Sequence, residues 1–306
     1  MKAAFFMQHG GPEVIQYGEV ANPVLAPGQV MVDIHFASVN GADWKVRHGT
    51  YAPITQFPYI MGRDFSGVVS ALGAGVTDWR IGDEVFGVCD VGQEGAYAEK
   101  IAIRSDIIAR KPAALRHDQC AAVALIGLTA LTAIEDCLAL KANETILIQG
   151  GAGGVASFAV QLAKHLGAKV ISTASASNLP YLKSLGADQV IDYNAQDFTT
   201  AISGIDAVFD TVGGDVAKKA FTVLRPGGRA AFIASGNTGP TPPDGKHSLR
   251  PNVGRSRKAL ERIVDLIQKG AVTLPEMKVF ALSDAVQAHQ ISQGRHFRGK
   301  LVFKVR

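Results

Sequence analysis

Residues 145–174 read TILIQGGAGGVASFAVQLAKHLGAKVISTA, and the rest of the chain is read outward from them. The apolar run Thr145–Gln149 has the length and composition of a buried strand. It enters the cluster Gly151-Ala152-Gly153-Gly154-Val155-Ala156, beyond which helical spacing is expected over Gly154–Leu166 and a second strand over Lys169–Thr173. A strand, a glycine turn and a helix start in that order offer unpaired N–H groups and a positive helix end to a pair of phosphates. In this frame Gly151 permits the turn, Gly153 lets a pyrophosphate approach the backbone, and Ala156 is small enough for the helix to lie close to the sheet. The bare pattern G-x-G-x-x-A is weak, because glycine turns are common. The surrounding elements are what make it point to a dinucleotide.

Which dinucleotide is read from what is missing. A site for NAD places an acid about twenty residues on, against the ribose hydroxyls. No Asp or Glu occurs between Glu144 and Asp188. The second strand runs instead into Thr173-Ala174-Ser175-Ala176-Ser177-Asn178, whose neutral donors suit a 2′-phosphate that a carboxylate would repel. The expected cofactor is therefore NADPH.

Further out, apolar strand patterns at Gln189–Asp192, Ala207–Thr211 and Arg229–Ala234 alternate with helical ones at Leu179–Leu185 and Val216–Leu224. That alternation builds a parallel sheet covered on both faces. From Met1 to about Ala114 the texture differs: short alternating segments such as Val30–Phe36, Phe65–Leu72 and Ala96–Ile103 are broken by Gly and Pro, as in a partly open barrel. The tail, with strands at Lys278–Ala281 and Lys300–Lys304, returns to that texture. The expected architecture is α/β, with a Rossmann-type doubly wound parallel sheet (118–274) inserted into a mainly β barrel domain (1–117 and 275–306). Gly236–Gly254, holding Pro240, Pro242, Pro243 and Pro251, reads as a mobile loop.

Composition narrows the function classes. With 47% hydrophobic and 19% charged residues the chain can bury a core and is not disordered. The net charge of +4 has no Lys/Arg run behind it, so no nucleic-acid partner is expected. Cys89, Cys120 and Cys137 form no C-x-x-C pair, which points to a reducing compartment. No signal-peptide pattern opens the chain, and no apolar run of membrane length is free of glycine, polar or charged residues. A cytoplasmic location and no membrane partner are expected.

Taken together, ASVNGADWKVRHGTY, FPYIMGRDFSGVV, IGDEVFG, GLTALTA, QGGAGGVASFAVQLAK, SLGADQVIDY, VFDTVGG, LRPGGR and FRGKLVF resemble the medium-chain dehydrogenase/reductase superfamily, in its zinc-free quinone oxidoreductase and enone reductase branch. The resemblance implies a GroES-like first domain, a Rossmann domain and often a homodimer. Zinc enzymes of the superfamily carry a cysteine where Asn40 falls and a histidine in the segment that reads here Gly62-Arg63-Asp64, so no metal ligand set is expected. The resemblance also implies site residues. Asn40 and Asp43 match the pair lining the substrate cleft, Lys45 matches a proton-relay lysine of some enone reductases, and Tyr51 could present a hydroxyl to substrate. For the cofactor, the glycine turn supplies Gly151, Ala152, Gly153, Gly154 and Val155, the segment after the second strand supplies Thr173, Ser175, Ser177 and Asn178, and the resemblance adds Thr129, Tyr193, Val212, Gly213 and Ser235. In the tail it adds Arg298, Gly299 and Lys300.

Chemistry leads to the same branch. Hydride delivered to an isolated carbonyl builds charge on one oxygen, which zinc enzymes stabilise as a Lewis acid. Without a metal the acceptor must spread that charge itself, as quinones and α,β-unsaturated carbonyls do. The expectation is an NADPH-dependent reductase of quinones or activated C=C bonds. The alternatives are a zinc-free alcohol or aldehyde reductase, and an NADPH-binding protein without turnover.

Overall fold

The computed structural model describes residues 1–51, 54–90, 92–236 and 239–306 of the 306-residue chain. Its strands and helices run β1 (Lys2–Phe6), β2 (Ile15–Glu19), β3 (Gln29–Ser38), α1 (Gly41–His48), β4 (Tyr59–Ile60), β5 (Asp64–Leu72), β6 (Glu84–Val88), β7 (Lys100–Arg104) and β8 (Ile108–Arg110). Then come α2 (His117–Leu131), β9 (Thr145–Gln149), α3 (Gly154–His165), β10 (Lys169–Ala174), α4 (Leu179–Ser184), β11 (Gln189–Asp192), α5 (Phe198–Ala201), β12 (Ile205–Asp210), α6 (Gly214–Lys219) and β13 (Leu224–Phe232). The chain closes with β14 (His247–Leu249), α7 (Arg257–Gln268), β15 (Met277–Ala281), α8 (Ala285–Gly294) and β16 (Lys300–Lys304).

Two compact units emerge: residues 1–125, 255–264 and 276–306 form the first, and 126–254 with 265–275 the second. The boundary lies later than the texture change at 117/118 suggests. Leu125 N–H donates to the Asp64 carboxylate at 3.3 Å, which ties the first half of α2 to the first unit. The start of α7 also belongs there, because Arg255 Nε donates to Cys89 O (2.6 Å) and Arg257 Nε to Ile108 O (3.1 Å).

The second unit is built on a parallel sheet of order β11-β10-β9-β12-β13-β14. The order reverses beside β9, which leaves a crevice at the strand ends where ligands of such sheets bind. On one face Leu147, Ile171, Val208 and Phe232 pack with Phe198, Ala217 and Phe221 into a continuous apolar cluster. The run Gly236–Gly254, expected to be a loop, contributes the sixth strand: β14 pairs with β13 through Arg229↔His247 to Ala231↔Leu249. Its three residues are too few to show a period among the surrounding prolines.

The first unit holds two sheets. One has the order β2-β1-β4, and the other β15-β16-β3-β5-β6-β8, with β7 also paired to β3. The ten-residue β3 carries strands along both edges and anchors a core of Val30, Val32, Ile34, Phe65, Val85, Ile103 and Phe303. Helix α1 was not foreseen from the sequence. Asn40 and Asp43 are capping-box residues at its start, with Asn40 N–H donating to Asp43 Oδ2 at 2.8 Å, and Gly49 closes it at φ +81°. The apolar run 117–137 is long enough to cross a membrane, but 72% of its window lies buried in the protein, as in a core helix.

Candidate active site and cofactor cradle

In the second unit β9 delivers the chain to the glycine turn. The residue that bends it is Gly150, at φ +75°, one position before the glycine assigned to the turn from spacing. Gly151 serves another purpose: a Cβ there would stand 2.2 Å from Ser172 Oγ and 2.7 Å from Leu182 Cδ2. It is glycine because the chain runs against β10 and α4. Thr173 ties the turn down, accepting from Gly150 N–H on Oγ1 (3.2 Å) and from Gly151 N–H on its carbonyl (2.9 Å). Its side chain is thus committed to shaping the turn.

Ala152, Gly153, Gly154 and Val155 remain partly accessible. Gly153 is the N-cap of α3, makes no side-chain cap, and the first turn carries no acid. A Cβ on Gly153 would have Gly150 O at 3.4 Å as its nearest neighbour, so the space outside the helix start is open. An uncapped helix start with open space and no negative charge fits a diphosphate.

Beyond β10 the expected hydroxyl cluster forms. Asn178 Nδ2 donates to Ser175 Oγ at 3.0 Å, and Ser177 Oγ lies 3.4 Å from the same oxygen. Tyr193, at the end of the neighbouring β11, is half-exposed and donates its N–H to Ala174 O at 3.2 Å. This corner presents small neutral polar groups beside an aromatic ring.

Other predicted cofactor residues are less open. Val212 and Gly213 spend their N–H groups on the buried Asp210 carboxylate (3.0–3.2 Å), so they have no backbone donor left for a ligand. Burial pushes Asp210 up, and those two backbone donors oppose it. Thr129 is buried on α2. Ser235 follows β13, its Oγ buried with no hydrogen-bond partner among the described residues, while Asn237 lies outside them.

In the first unit, Asn40, Asp43, Lys45 and Tyr51 sit on or beside α1 and serve different ends. Asp43 turns inward and is 2% exposed. Its Oδ2 accepts from Tyr97 OH at 2.7 Å, and its Oδ1 lies 3.5 Å from Arg63 Nε. Burial pushes its carboxyl up to about 6, against the pull of Arg63 and Tyr97. This acid is buried, with Oδ2 satisfied by Tyr97 and the Asn40 backbone and Oδ1 facing Arg63 without a hydrogen bond. Lys45 Nζ lies 5.7 Å from the Trp44 ring centroid. Arg63 pairs with Asp43 and Glu94 (2.8 Å) rather than with Asp64, and its guanidinium lies 4.9 Å from the Tyr51 ring. The Tyr59 hydroxyl is tied to Glu94, which leaves Tyr51, at 41% exposure, as the accessible phenol.

The tail residues act within the first unit. Arg298 pairs with Glu276 at 2.6 Å, and Gly299, at φ +82°, packs on the Glu276 carbonyl. Lys300 is buried, its Nζ donating to Val39 O (2.7 Å) and Asn40 Oδ1 (2.5 Å). Asp64 completes this floor, accepting from Ser38 Oγ at 2.7 Å and Asn40 Nδ2 at 2.8 Å. Sequence reasoning missed Tyr97 and Glu94, which carry no local motif, and met Asp64 only as part of Gly62-Arg63-Asp64 without a role. Among the described residues no three His, Cys, Asp or Glu side chains gather to hold a metal ion.

Comparison with known proteins adds the following. Residues 26–113 match the alcohol dehydrogenase GroES-like domain family, and residues 185–303 match a family described as zinc-binding dehydrogenase. An NADPH-dependent alkenal/one oxidoreductase of Arabidopsis thaliana chloroplasts is 32% identical, covering 99% of this chain and 79% of its own length. The quinone oxidoreductase of Coxiella burnetii superposes with a TM-score of 0.91 at 35% identity, covering 100% of this chain and 99% of that one. The Escherichia coli quinone oxidoreductase complexed with NADPH gives 0.90 at 28% identity, with complete coverage of both chains.

Proposed function

Since the chain belongs to the medium-chain dehydrogenase/reductase superfamily, with the quinone oxidoreductases and enone reductases, we propose that it is an NADPH-dependent reductase acting without a metal on quinones or on the activated C=C of α,β-unsaturated carbonyls. One observation carries this reading. The helix start after Gly150–Gly153 is uncapped, uncharged and open, and β10 runs on into Ser175–Asn178, a polar segment without Asp or Glu. Gly153, Gly154 and Val155 would hold the diphosphate, and Ser175, Ser177 and Asn178 the 2′-phosphate, with Tyr193 beside the adenine.

NADPH supplies a hydride. The chain's part is to orient the acceptor and to provide a proton once the electron pair has moved onto the acceptor oxygen. Tyr51 is the accessible hydroxyl for that proton, with the Arg63 guanidinium 4.9 Å from its ring centroid. Where zinc enzymes place metal ligands this chain has an amide and a guanidinium, Asn40 and Arg63, both held by buried acids. Neither is a zinc donor in proteins, which supports the metal-free reading. A homodimer and a cytoplasmic location complete the proposal; light scattering and cell fractionation test them.

The experiment is NADPH oxidation against a quinone, a short enone, a 2-alkenal and a saturated aldehyde, with and without a chelator. Turnover of the first three and not the fourth, unchanged by chelation, is expected. Loss of rate on chelation overturns the metal-free mechanism, turnover of the saturated aldehyde points to an alcohol or aldehyde reductase, and tight NADPH binding without turnover points to a non-catalytic protein. Cofactor choice is tested by Ser175→Asp, expected to weaken NADPH about tenfold relative to NADH, or about 1.4 kcal/mol. An unchanged ratio removes the hydroxyl corner from the 2′-phosphate site.

A further inference from the structure

Asn40 lies on the floor of the first unit with 8% of its surface accessible. Its amide is pinned from both ends. Lys300 Nζ donates to Oδ1 at 2.5 Å, while Nδ2 donates to Asp64 Oδ1 at 2.8 Å and to Ser38 O at 3.3 Å. An ammonium can only donate and a carboxylate can only accept. Turning the amide over would set NH2 against Lys300 and C=O against Asp64, so its orientation is fixed by chemistry. Both amide hydrogens are then spent, as is the Asn40 backbone N–H on Asp43. One lone pair of Oδ1 remains.

We propose that Lys300 and Asp64 are positioning residues that hold Asn40 as a hydrogen-bond acceptor, so that it meets a hydroxyl or N–H group of cofactor or substrate and cannot donate to the acceptor's developing oxyanion. This rests on the reading of Asn40 as a site residue and reassigns Lys300 from cofactor contact to support of Asn40. The clamp joins residues 260 and 24 positions apart in sequence, so neither partner is found from local pattern.

The test combines Asn40→Ala, Lys300→Met and the charge-balanced Lys300→Met/Asp64→Asn. Readouts are kcat, acceptor KM, NADPH affinity by fluorescence titration, and solvent exchange of the Asn40 side-chain amide, whose NMR signal is assigned by its loss in Asn40→Ala. Lys300→Met is expected to lower kcat about tenfold or more, leave KM and NADPH affinity within about twofold, and speed amide exchange about tenfold. If Lys300→Met does not fold, the double variant carries the test: stability returns, and kcat does not. Wild-type kcat in a Lys300 variant overturns the proposal, as does unchanged amide exchange. Weakened NADPH binding with intact kcat would return Lys300 to the cofactor. Wild-type turnover by Asn40→Ala would remove Asn40 from the site altogether, and is distinguished from failure of the clamp because the exchange readout still reports whether Lys300 holds the amide.

Discussion

The glycine turn of the second unit and the polar floor of the first both organise hydrogen bonds, with opposite economies. At the turn the donors are backbone N–H groups left over at a helix start, and the one side chain that shapes it, Thr173, lies 23 residues from Gly150. On the floor the groups are buried side chains brought together over long distances: Asp43 with Tyr97 across 54 residues, and Arg47 with His289 across 242. The turn keeps its unsatisfied groups facing open space. The floor pairs Asn40, Asp64, Lys300 and Tyr97 internally, which fixes orientations and makes each partner costly to remove, while Asp43 Oδ1, Arg63 Nε and His289 Nε2 are buried without a hydrogen bond among the described residues. A backbone site is therefore sensitive to added bulk, and a side-chain site to lost partners.

The sharpest way to break that contrast is at Arg47. Among the described residues this fully buried guanidinium pairs with no carboxylate: it donates to Gly10 O (3.2 Å), His289 Nδ1 (2.8 Å) and Gln293 Oε1 (2.8 Å), joining α1 to α8. Arg47→Met keeps the bulk and strands three acceptors, His289 Nδ1 buried and Gly10 O and Gln293 Oε1 partly buried. A loss of about 3 kcal/mol in urea unfolding is expected, with NADPH affinity unchanged. A loss under about 1 kcal/mol would show that the floor is not held by partner satisfaction. The converse is Gly153→Val, which fills the open space outside α3 without meeting protein. NADPH affinity should fall about 100-fold, or about 2.7 kcal/mol, while the melting temperature moves by no more than about 2 °C. Normal binding would mean that the diphosphate does not sit there.

The same contrast explains what could be read in advance. The parallel sheet and its glycine turn were legible because strand, turn and helix are consecutive and each has its own period. Even so, spacing misplaced the bend by one residue, since Gly150 and Gly151 are indistinguishable as letters and differ only in what stands beside them: open backbone torsion at one, Ser172 and Leu182 at the other. Helix α1 was hidden by its brevity, although Asn40, Asp43 and Gly49 are a start and a stop signal in hindsight. Asn40 and Asp43 were singled out as a cleft-lining pair, and the structure joins them at the start of α1. That one faces inward depends on Tyr97 and Arg63, which nothing near residue 43 announces.

The finest separation of pattern from partnership lies in pH. Asp43 and His289 both touch Tyr97, one through its hydroxyl at 2.7 Å and the other ring to ring at 5.8 Å, and burial moves them oppositely. Burial pushes Asp43 up to about 6, with Arg63, Tyr97, the Asn40 backbone and Asp64 as its neighbours; burial and the Arg47 charge push His289 down to about 3. For Asp43 the folded value lies above the unfolded one, so its contribution is present below about pH 4 and lost as pH rises through about 6. For His289 the folded value is depressed, so its contribution is present above about 6.5 and lost as pH falls toward about 3. Between about pH 4 and 6 folding takes up a proton at one group and releases one at the other, and the two slopes oppose. Wild-type stability should be nearly flat there so far as these groups decide it. Asp43→Asn should expose a stability that rises with pH, and His289→Asn one that falls, each by at most about 1.4 kcal/mol per pH unit. Urea midpoints measured at half-unit steps check this. Equal slopes in wild type and both variants would mean that Asp43 and His289 titrate as they do unfolded, and that the floor does not set the protonation of its own members.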